Sequence, residues 1–170
     1  MQKLVIGLIF REEDGSVIDA TLNKYKQYPF QDFVIVASMS CVSRIMSHIT
    51  RDSNGNKLLA GKPFELRAFE SDFSDNDAFH AVKEVDGDKY LVLKSQQYPV
   101  IPPEKILNLG GQHPVVACDW YVDKRYVGLE KPYDSTQPYT PKVAIIDKSL
   151  MPEDWRNTPY ITSLVPIVNE

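Results

Sequence analysis

The sequence has few of the residues that would assign a function directly. Among its 170 residues are only two cysteines and three histidines, and the spacings Cys-x-x-Cys, His-x-His and His-Glu-x-x-His do not occur. Two cysteines that lie far apart in the sequence are too few for a cysteine-rich zinc module or a disulfide-dense secreted domain. We therefore predict no metal site and no cofactor, and we expect Cys41 and Cys118 to be reduced thiols of a cytoplasmic protein.

Long apolar runs and an excess of basic residues are missing as well. No stretch approaches the roughly 20 apolar residues that cross a bilayer. The apolar run Leu4–Phe10 is short and is followed by charged residues at 11–14, so it predicts a core strand and not a leader peptide. The 19 Lys and Arg residues against 23 Asp and Glu residues give a net charge of −4, which disfavours phosphate backbones. We predict neither membrane contact nor a nucleic-acid partner.

What the sequence does have is the composition and patterning of one folded domain. Apolar residues make up 43% of the chain and charged residues 25%, both ordinary for a globular protein. Residues 3–10 and 32–37 are apolar runs typical of core strands, and apolar residues at helical spacing follow each of them. The Asn-Gly step at Asn54 predicts a hairpin. We predict an α/β or α+β fold: a single domain with a central mixed sheet, two or three short helices and a Pro/Tyr-rich extended C-terminal segment.

The last third of the chain differs in composition from the rest. Ten of the twelve prolines lie between Pro99 and Pro166, and six of the nine tyrosines follow residue 97. Proline fixes φ and removes a backbone donor, so these stretches are not expected to form long helices or central strands. We predict a globular core over residues 1–128 and an extended segment over residues 129–170 that packs on the core or on a partner. Residues 143–146 are expected to add a strand to a sheet edge.

The aromatic residues of that segment motivate the first functional hypothesis. Tyr and Trp bury large areas at a low entropy cost, and they are enriched in protein interfaces. The hypothesis is a non-enzymatic binding or assembly component, whose partner is another protein or a second copy of the chain. Its predicted partner-binding residues are Tyr133, Tyr139, Trp155 and Tyr160. Another non-enzymatic possibility is a mildly acidic inhibitor that occupies a basic site on a macromolecule.

The alternative hypothesis places a small-molecule site where a strand meets a helix. Ser38, Ser40 and Cys41 follow the apolar run 32–37, where a helix N-terminus offers unpaired N–H groups to an anion. His113, after a pair of glycines, is the fourth candidate ligand-binding residue. The alternative is thus a small cytosolic enzyme or ligand-binding protein with an anion or phosphate site at residues 38–41. No glycine-rich nucleotide motif is present, so catalytic residues stay unassigned.

The same junction leads to an expectation about thiol reactivity. A helix N-terminus lowers the pKa of a thiol, whereas Cys118 lies between apolar neighbours of a predicted strand. Cys41 is therefore expected to be the more reactive thiol. It is not expected to pair with His48, because seven residues on a helix separate them by two turns, roughly 10 Å.

Overall fold

A computed structural model describes most of the first two thirds of the chain and shorter stretches of the remainder. The described residues are 2–99, 102–108, 115–122, 125–128, 144–148 and 160–169, with side chains described at 2–99, 102–108 and 147–148. None of the helices within these ranges is long and apolar enough to cross a membrane.

Strands and helices alternate along the first half of the chain, as an α/β fold requires. A 3-10 helix, Glu12–Val17, follows the first strand. The α-helices are α1 (Ile18–Tyr25), α2 (Met39–Met46), α3 (Asp75–Lys83) and α4 (Pro103–Leu107). The strands are β1 (Leu4–Phe10), β2 (Asp32–Ser38), β3 (Ile49–Arg51), β4 (Lys57–Leu59), β5 (Phe64–Phe69), β6 (Lys89–Lys94), β7 (Gln97–Pro99), β8 (Val115–Val122), β9 (Arg125–Gly128), β10 (Ala144–Asp147) and β11 (Tyr160–Asn169).

Four parallel strands form one half of the main sheet. β1 pairs in parallel with β2 and β6, and β2 pairs in parallel with β5. The order across the sheet is β5-β2-β1-β6-β10-β8-β11-β7, with β9 on β8, while β3 and β4 form a separate hairpin. Parallel neighbours need crossover connections, and these contain α1, α2 and α3. Because β10 runs antiparallel to β6, the sheet is mixed, and the predicted fold class is confirmed.

Helices cover both faces of the parallel half of the sheet. Every residue of β1 is buried. Ile6 and Leu8 cluster with Leu22 of α1 on one face, and Val5 clusters with Phe79 of α3 on the other. Since successive side chains of a strand point to opposite faces, a strand covered on both sides has to be apolar throughout. This is why residues 4–10 form an unbroken apolar run.

Two strands from the C-terminal part of the chain belong to the same sheet. β10 lies between β6 and β8, and β11 pairs with β8 and β7. The strand expected at residues 143–146 therefore exists, but its expected place at a sheet edge is wrong, because it has a partner on each side. The Nζ atom of Lys89 in β6 lies 3.8 Å from Oδ2 of Asp147 in β10, and both side chains are buried. The proposed boundary at residue 128 stays a prediction.

The start of α3 is fixed by a reciprocal cap. The Oγ atom of Ser74 accepts the N–H of Asp77 at 3.1 Å, and Oδ2 of Asp77 accepts the N–H of Ser74 at 3.0 Å. We expect Ser74→Ala to lower the free energy of unfolding by about 1 kcal/mol, as the loss of a serine N-cap usually does. Urea denaturation measures the change. Ser71→Ala in the same loop is the matched control, and an equal loss in both variants would contradict the assignment of the cap.

Candidate functional site

The carboxyl ends of the four parallel strands meet at one edge of the sheet, which we call the carboxyl edge. β1 ends at Phe10, β2 at Ser38, β5 at Phe69 and β6 at Lys94. The loops after parallel strands are where open α/β sheets bind their ligands. The carboxyl edge is therefore the first place to look for a site.

Arg11 is the first residue after β1, and it contacts the loop between β5 and α3. Its Nη1 donates to the carbonyl of Phe73, and its Nη2 lies 2.5 Å from Oδ1 of Asp75. The guanidinium carbon also lies 4.5 Å from the centre of the Phe73 ring. The Arg11 side chain is nevertheless 26% exposed. These contacts fix a cation at the carboxyl edge and leave it accessible to a ligand.

Lys94 provides a second cation at the end of the neighbouring strand. It is in register with Ile9 of β1, and its Nζ lies 3.7 Å from Oδ2 of Asp75. The backbone N–H of Lys94 donates to Oε1 of Gln97 at 2.7 Å, which fixes the turn after β6. Arg11 and Lys94 therefore face one carboxylate, each on a different oxygen.

Asp14 connects the loop after β1 to the turn after β6. Its Oδ2 accepts the N–H of Arg11 at 2.7 Å, and its Oδ1 accepts the hydroxyl of Ser95 at 2.8 Å. The N–H of Asp14 donates in turn to the carbonyl of Arg11 at 2.9 Å. The two loops that bear the cations are thus held together before any ligand arrives.

These loops enclose a cleft of about 330 Å³, which we call the Arg11 cleft. It is lined by Ile9, Arg11, Glu13, Asp14, Lys94, Ser95 and Gln97. Arg11 supplies a fork of N–H donors and Lys94 a compact positive charge, the two groups that proteins use most to bind phosphate oxygens. The lining also has two carboxylates, Glu13 and Asp14, and Asp14 accepts hydrogen bonds from the backbone N–H of Arg11 and the hydroxyl of Ser95. The two cations make the Arg11 cleft the candidate site for an anion.

A second cleft, also of about 330 Å³, lies at the start of α2, and we call it the Ser38 cleft. It is lined by Glu12, Ser38, Met39, Ser40, Phe69, Glu70, Ser71 and Asp72. Three of these side chains are carboxylates and none is a cation, so charge repulsion opposes a phosphate here. Carboxylates and serine hydroxyls accept hydrogen bonds from O–H and N–H groups. The neighbouring residues Glu12 and Glu13 of the 3-10 helix each line a different cleft.

The structure brings together two of the four ligand-binding residues proposed from the sequence. Ser38 and Ser40 both line the Ser38 cleft, and the hydroxyl of Ser38 makes no capping bond to α2 although it occupies the N-cap position. Cys41 lies beneath, and its Sγ donates to the carbonyl of Arg11 at 3.3 Å. His113 lies outside the described residues. Binding of an anion at residues 38–41 stays a hypothesis.

Cys41 does not have the environment of a reactive thiol. Burial raises the pKa of its thiol, and a hydrogen bond with Ser40 offsets only part of that rise. The side chain is 2% exposed. The expectation that the helix start lowers this pKa was wrong, because the third residue of α2 points into the core. Cys41 is a packing residue next to the site.

Arg11, Lys94 and Asp75 are the residues of the site that sequence reasoning missed. A signal existed for the two cations, because each follows directly on the apolar residues of a core strand. A charged residue at the carboxyl end of a parallel strand faces the ligand-binding edge of the sheet. No such signal marks Asp75, which is 64 positions from Arg11 in sequence.

Of the residues proposed to bind a partner, only one falls in the described part of the chain. Tyr133, Tyr139 and Trp155 lie outside it. Tyr160 is the first residue of β11 and is in register with Val115 of β8. Its backbone belongs to a strand that has neighbours on both sides, which is not the geometry of a free arm.

The fold matches solved structures, although the sequence matches no protein-family model and no curated protein. HddC from Yersinia pseudotuberculosis, complexed with GMP-PN, has a TM-score of 0.60 at 12% identity, with 97% of this chain and 91% of that chain covered. CMP:2-keto-3-deoxy-manno-octonic acid synthetase, complexed with CTP, has a TM-score of 0.53 at 9% identity, with 96% and 90% covered. The mannosyltransferase PcManGT from Pyrobaculum calidifontis, in complex with GDP-Man and Mn²⁺, has a TM-score of 0.57 at 13% identity, with 98% and 56% covered.

These comparisons overturn the first functional hypothesis. Two of the structures named above are a synthetase and a mannosyltransferase, and the likeness covers 96% and 98% of this chain. The described strands of that segment lie within the main sheet. A non-enzymatic assembly component is therefore the wrong interpretation, and the chain has the fold of these solved structures.

Proposed function

We propose that this protein is a nucleotide-sugar-dependent transferase that binds the diphosphate of its donor in the Arg11 cleft. The observation that carries the proposal is the pair of cations, Arg11 and Lys94, at the carboxyl ends of adjacent parallel strands. The ligands of the similar structures, GMP-PN, CTP and GDP-Man, support the choice of a nucleotide donor.

The Arg11 cleft offers a diphosphate an ordered guanidinium and a second cation on an ordered turn. The guanidinium of Arg11 is held by the carbonyl of Phe73, and the turn that bears Lys94 is held by Gln97. Donors that are already ordered lose little conformational entropy when a ligand binds. Partial burial of Arg11 also strengthens its interaction with an anion relative to a fully solvated arginine. Both effects favour phosphate binding in this cleft.

We assign the neutral part of the donor to the Ser38 cleft. Ribose hydroxyls and base N–H groups are hydrogen-bond donors, and Glu12, Glu70 and Asp72 provide acceptors for them. The hydroxyls of Ser38 and Ser40 can serve as acceptors or donors. A nucleotide bound in this way has its charged end beside the cations and its uncharged end beside the carboxylates, so the two clefts discriminate its orientation.

The same cations would act in the chemical step. In a glycosyl transfer, the bond between the anomeric carbon and a phosphate oxygen breaks, and the acceptor oxygen forms the new bond as its proton passes to a base. The departing diphosphate gains negative charge, and fixed cations beside it stabilise the transition state more than the ground state. Glu13, which lines the Arg11 cleft, is a carboxylate that can accept the proton.

A divalent cation, such as the Mn²⁺ of the mannosyltransferase complex, does not fit the described residues of the Arg11 cleft. Among the described residues, no three His, Cys, Asp or Glu side chains are grouped to hold a metal. Asp75 is engaged by Arg11 and Lys94, and Asp14 is engaged by Arg11 and Ser95. The ammonium of Lys94 would also repel a metal ion beside it. We therefore assign charge neutralisation of the diphosphate to Arg11 and Lys94.

Isothermal titration calorimetry tests the proposal. UDP, GDP, CDP and ADP are titrated into the protein in EDTA, and each corresponding nucleoside serves as its own control. We expect at least one diphosphate to bind with a Kd below about 1 mM, and more tightly than its nucleoside. Repeating the titration with Mn²⁺ in place of EDTA should change the affinity little. The proposal fails if none of the four diphosphates binds in either condition.

A further inference from the structure

We infer that Asp75 is a built-in competitor for the donor's diphosphate, which occupies Arg11 and Lys94 until the donor displaces it. The inference rests on the proposed function and adds a residue that sets the strength and the selectivity of binding. It is derived from one cluster of side chains at the carboxyl edge.

The carboxylate of Asp75 makes the contacts that a phosphate would make. Its Oδ1 lies 2.5 Å from Nη2 of Arg11, and its Oδ2 lies 3.7 Å from Nζ of Lys94. One planar anion thus bridges both cations with its two oxygens. A phosphate entering the Arg11 cleft needs the same N–H groups, so it and Asp75 compete for them.

Asp75 can leave this position without undoing the helix it begins. The cap of α3 is made by Ser74 and Asp77, and Asp75 contributes nothing to it. The side chain of Asp75 is 29% exposed and that of Lys94 is 47% exposed, so solvent can replace their contact. The contact of Asp75 with Arg11 is the tighter one, at 2.5 Å between side chains that are 26% and 29% exposed, so it is the contact that a more highly charged anion has to displace. Because both pairs keep access to solvent, a phosphate that brings more charge can replace Asp75 on both cations.

Competition of this kind selects for the charge of the ligand. A phosphate monoester has up to two negative charges and a diphosphate has more, so a nucleoside diphosphate gains more than a monophosphate when it displaces the single charge of Asp75. A nucleoside, which has no charge to offer, should not be affected by Asp75 at all. The substrate class that the site favours is thus one with two adjoining phosphate groups over one with a single phosphate.

Asp75→Asn tests the inference, because the amide keeps the size of the side chain and removes its charge. The probes are the tightest-binding nucleoside diphosphate from the panel above and its nucleoside, titrated by calorimetry in EDTA. We expect the diphosphate to bind about tenfold more tightly to Asp75→Asn than to the original chain. The nucleoside should bind equally to both. Asp86→Asn is the charge-matched control at the opposite edge of the sheet, where α3 leads into β6, and it should change neither affinity.

The outcomes separate the inference from the proposed function. If the original chain binds the diphosphate and Asp75→Asn binds it equally or more weakly, the inference is overturned and the proposed function stands. If neither protein binds any diphosphate, both are overturned. A gain that persists in the Arg11→Gln/Lys94→Gln background would also overturn the inference, since Asp75 would then act through other groups. Should circular dichroism show that Asp75→Asn is unfolded, Asp75→Ser takes its place in every comparison.

Discussion

Replacing Arg11 and Lys94 together by glutamine is expected to weaken binding of a nucleoside diphosphate by about 100-fold. A hydrogen bond to a charged group contributes about 1.5 kcal/mol or more, and about 1.4 kcal/mol corresponds to a tenfold change in affinity. Losing both cations leaves the phosphates beside Glu13 and Asp14, which repel them. Calorimetry with the diphosphate and with its nucleoside measures the effect, and the nucleoside should lose little.

The matched control removes the same charge from another part of the surface. Arg51 and Lys57 are exposed residues that face each other across the β3–β4 hairpin. Arg51→Gln/Lys57→Gln therefore reproduces the change in net charge without touching either cleft, and its affinity should equal that of the original chain. If both double variants lost affinity equally, the effect would be one of overall charge, and the assignment of the Arg11 cleft would be contradicted. If the double variant does not fold, the same titration is made with Lys94→Gln alone, which leaves the contacts of Arg11 intact.

Lys89→Met is expected to lower the free energy of unfolding by about 3 kcal/mol, because it takes a cation away from a buried carboxylate. Lys89 and Asp147 are 7% and 11% exposed at their side chains, with Nζ and Oδ2 3.8 Å apart. Lys89 Nζ also donates to the carbonyl of Leu107 at 2.7 Å, and that bond is lost as well. Urea denaturation followed by circular dichroism measures the change.

Two comparisons show whether this loss reports on the position of β10 in the sheet. Adding Asp147→Leu to Lys89→Met removes the buried carboxylate that has lost its cation, so the double variant should regain much of the lost free energy of unfolding. Lys3→Met removes a lysine from the surface pair with Asp32, whose side chains are 42% and 32% exposed, and it should cost at most about 1 kcal/mol. If Lys89→Met were no more destabilising than Lys3→Met, β10 would not pack against β6 as described.

The elements that the sequence allowed us to predict are those defined by short-range patterns. The strands expected at residues 3–10 and 32–37 are β1 and β2 to within one residue, because strands covered on both faces are apolar without interruption. The hairpin expected at Asn54 is β3–β4, in which the carboxylate of Asp52 accepts the N–H groups of Asn54 and Asn56. Such features depend on a few neighbouring residues, and composition and spacing reveal them.

The features that could not be predicted depend on pairing between distant parts of the chain. Residues 144–147 have the apolar pattern of a strand. Their place between β6 and β8, however, follows from pairing with strands about 30 to 55 residues away in the sequence. The prolines of the C-terminal segment suggested an arm, whereas the described strands β10 and β11 lie in the main sheet. The candidate site also depends on contacts between distant parts of the chain, because Arg11, Asp75 and Lys94 come together only after β1, α3 and β6 have packed.

Mapping a nucleoside diphosphate onto the backbone by NMR is the most direct test of the proposed site. The ¹⁵N-labelled chain is titrated with the diphosphate that binds most tightly, and with its nucleoside, in EDTA. We expect the diphosphate to shift the amide signals of residues 11–14 and 94–97 most strongly, and the nucleoside to shift those of residues 38–40 and 70–72. Diphosphate-induced shifts that avoid residues 11–14 and 94–97, or no shifts at millimolar ligand, would contradict a diphosphate site in the Arg11 cleft.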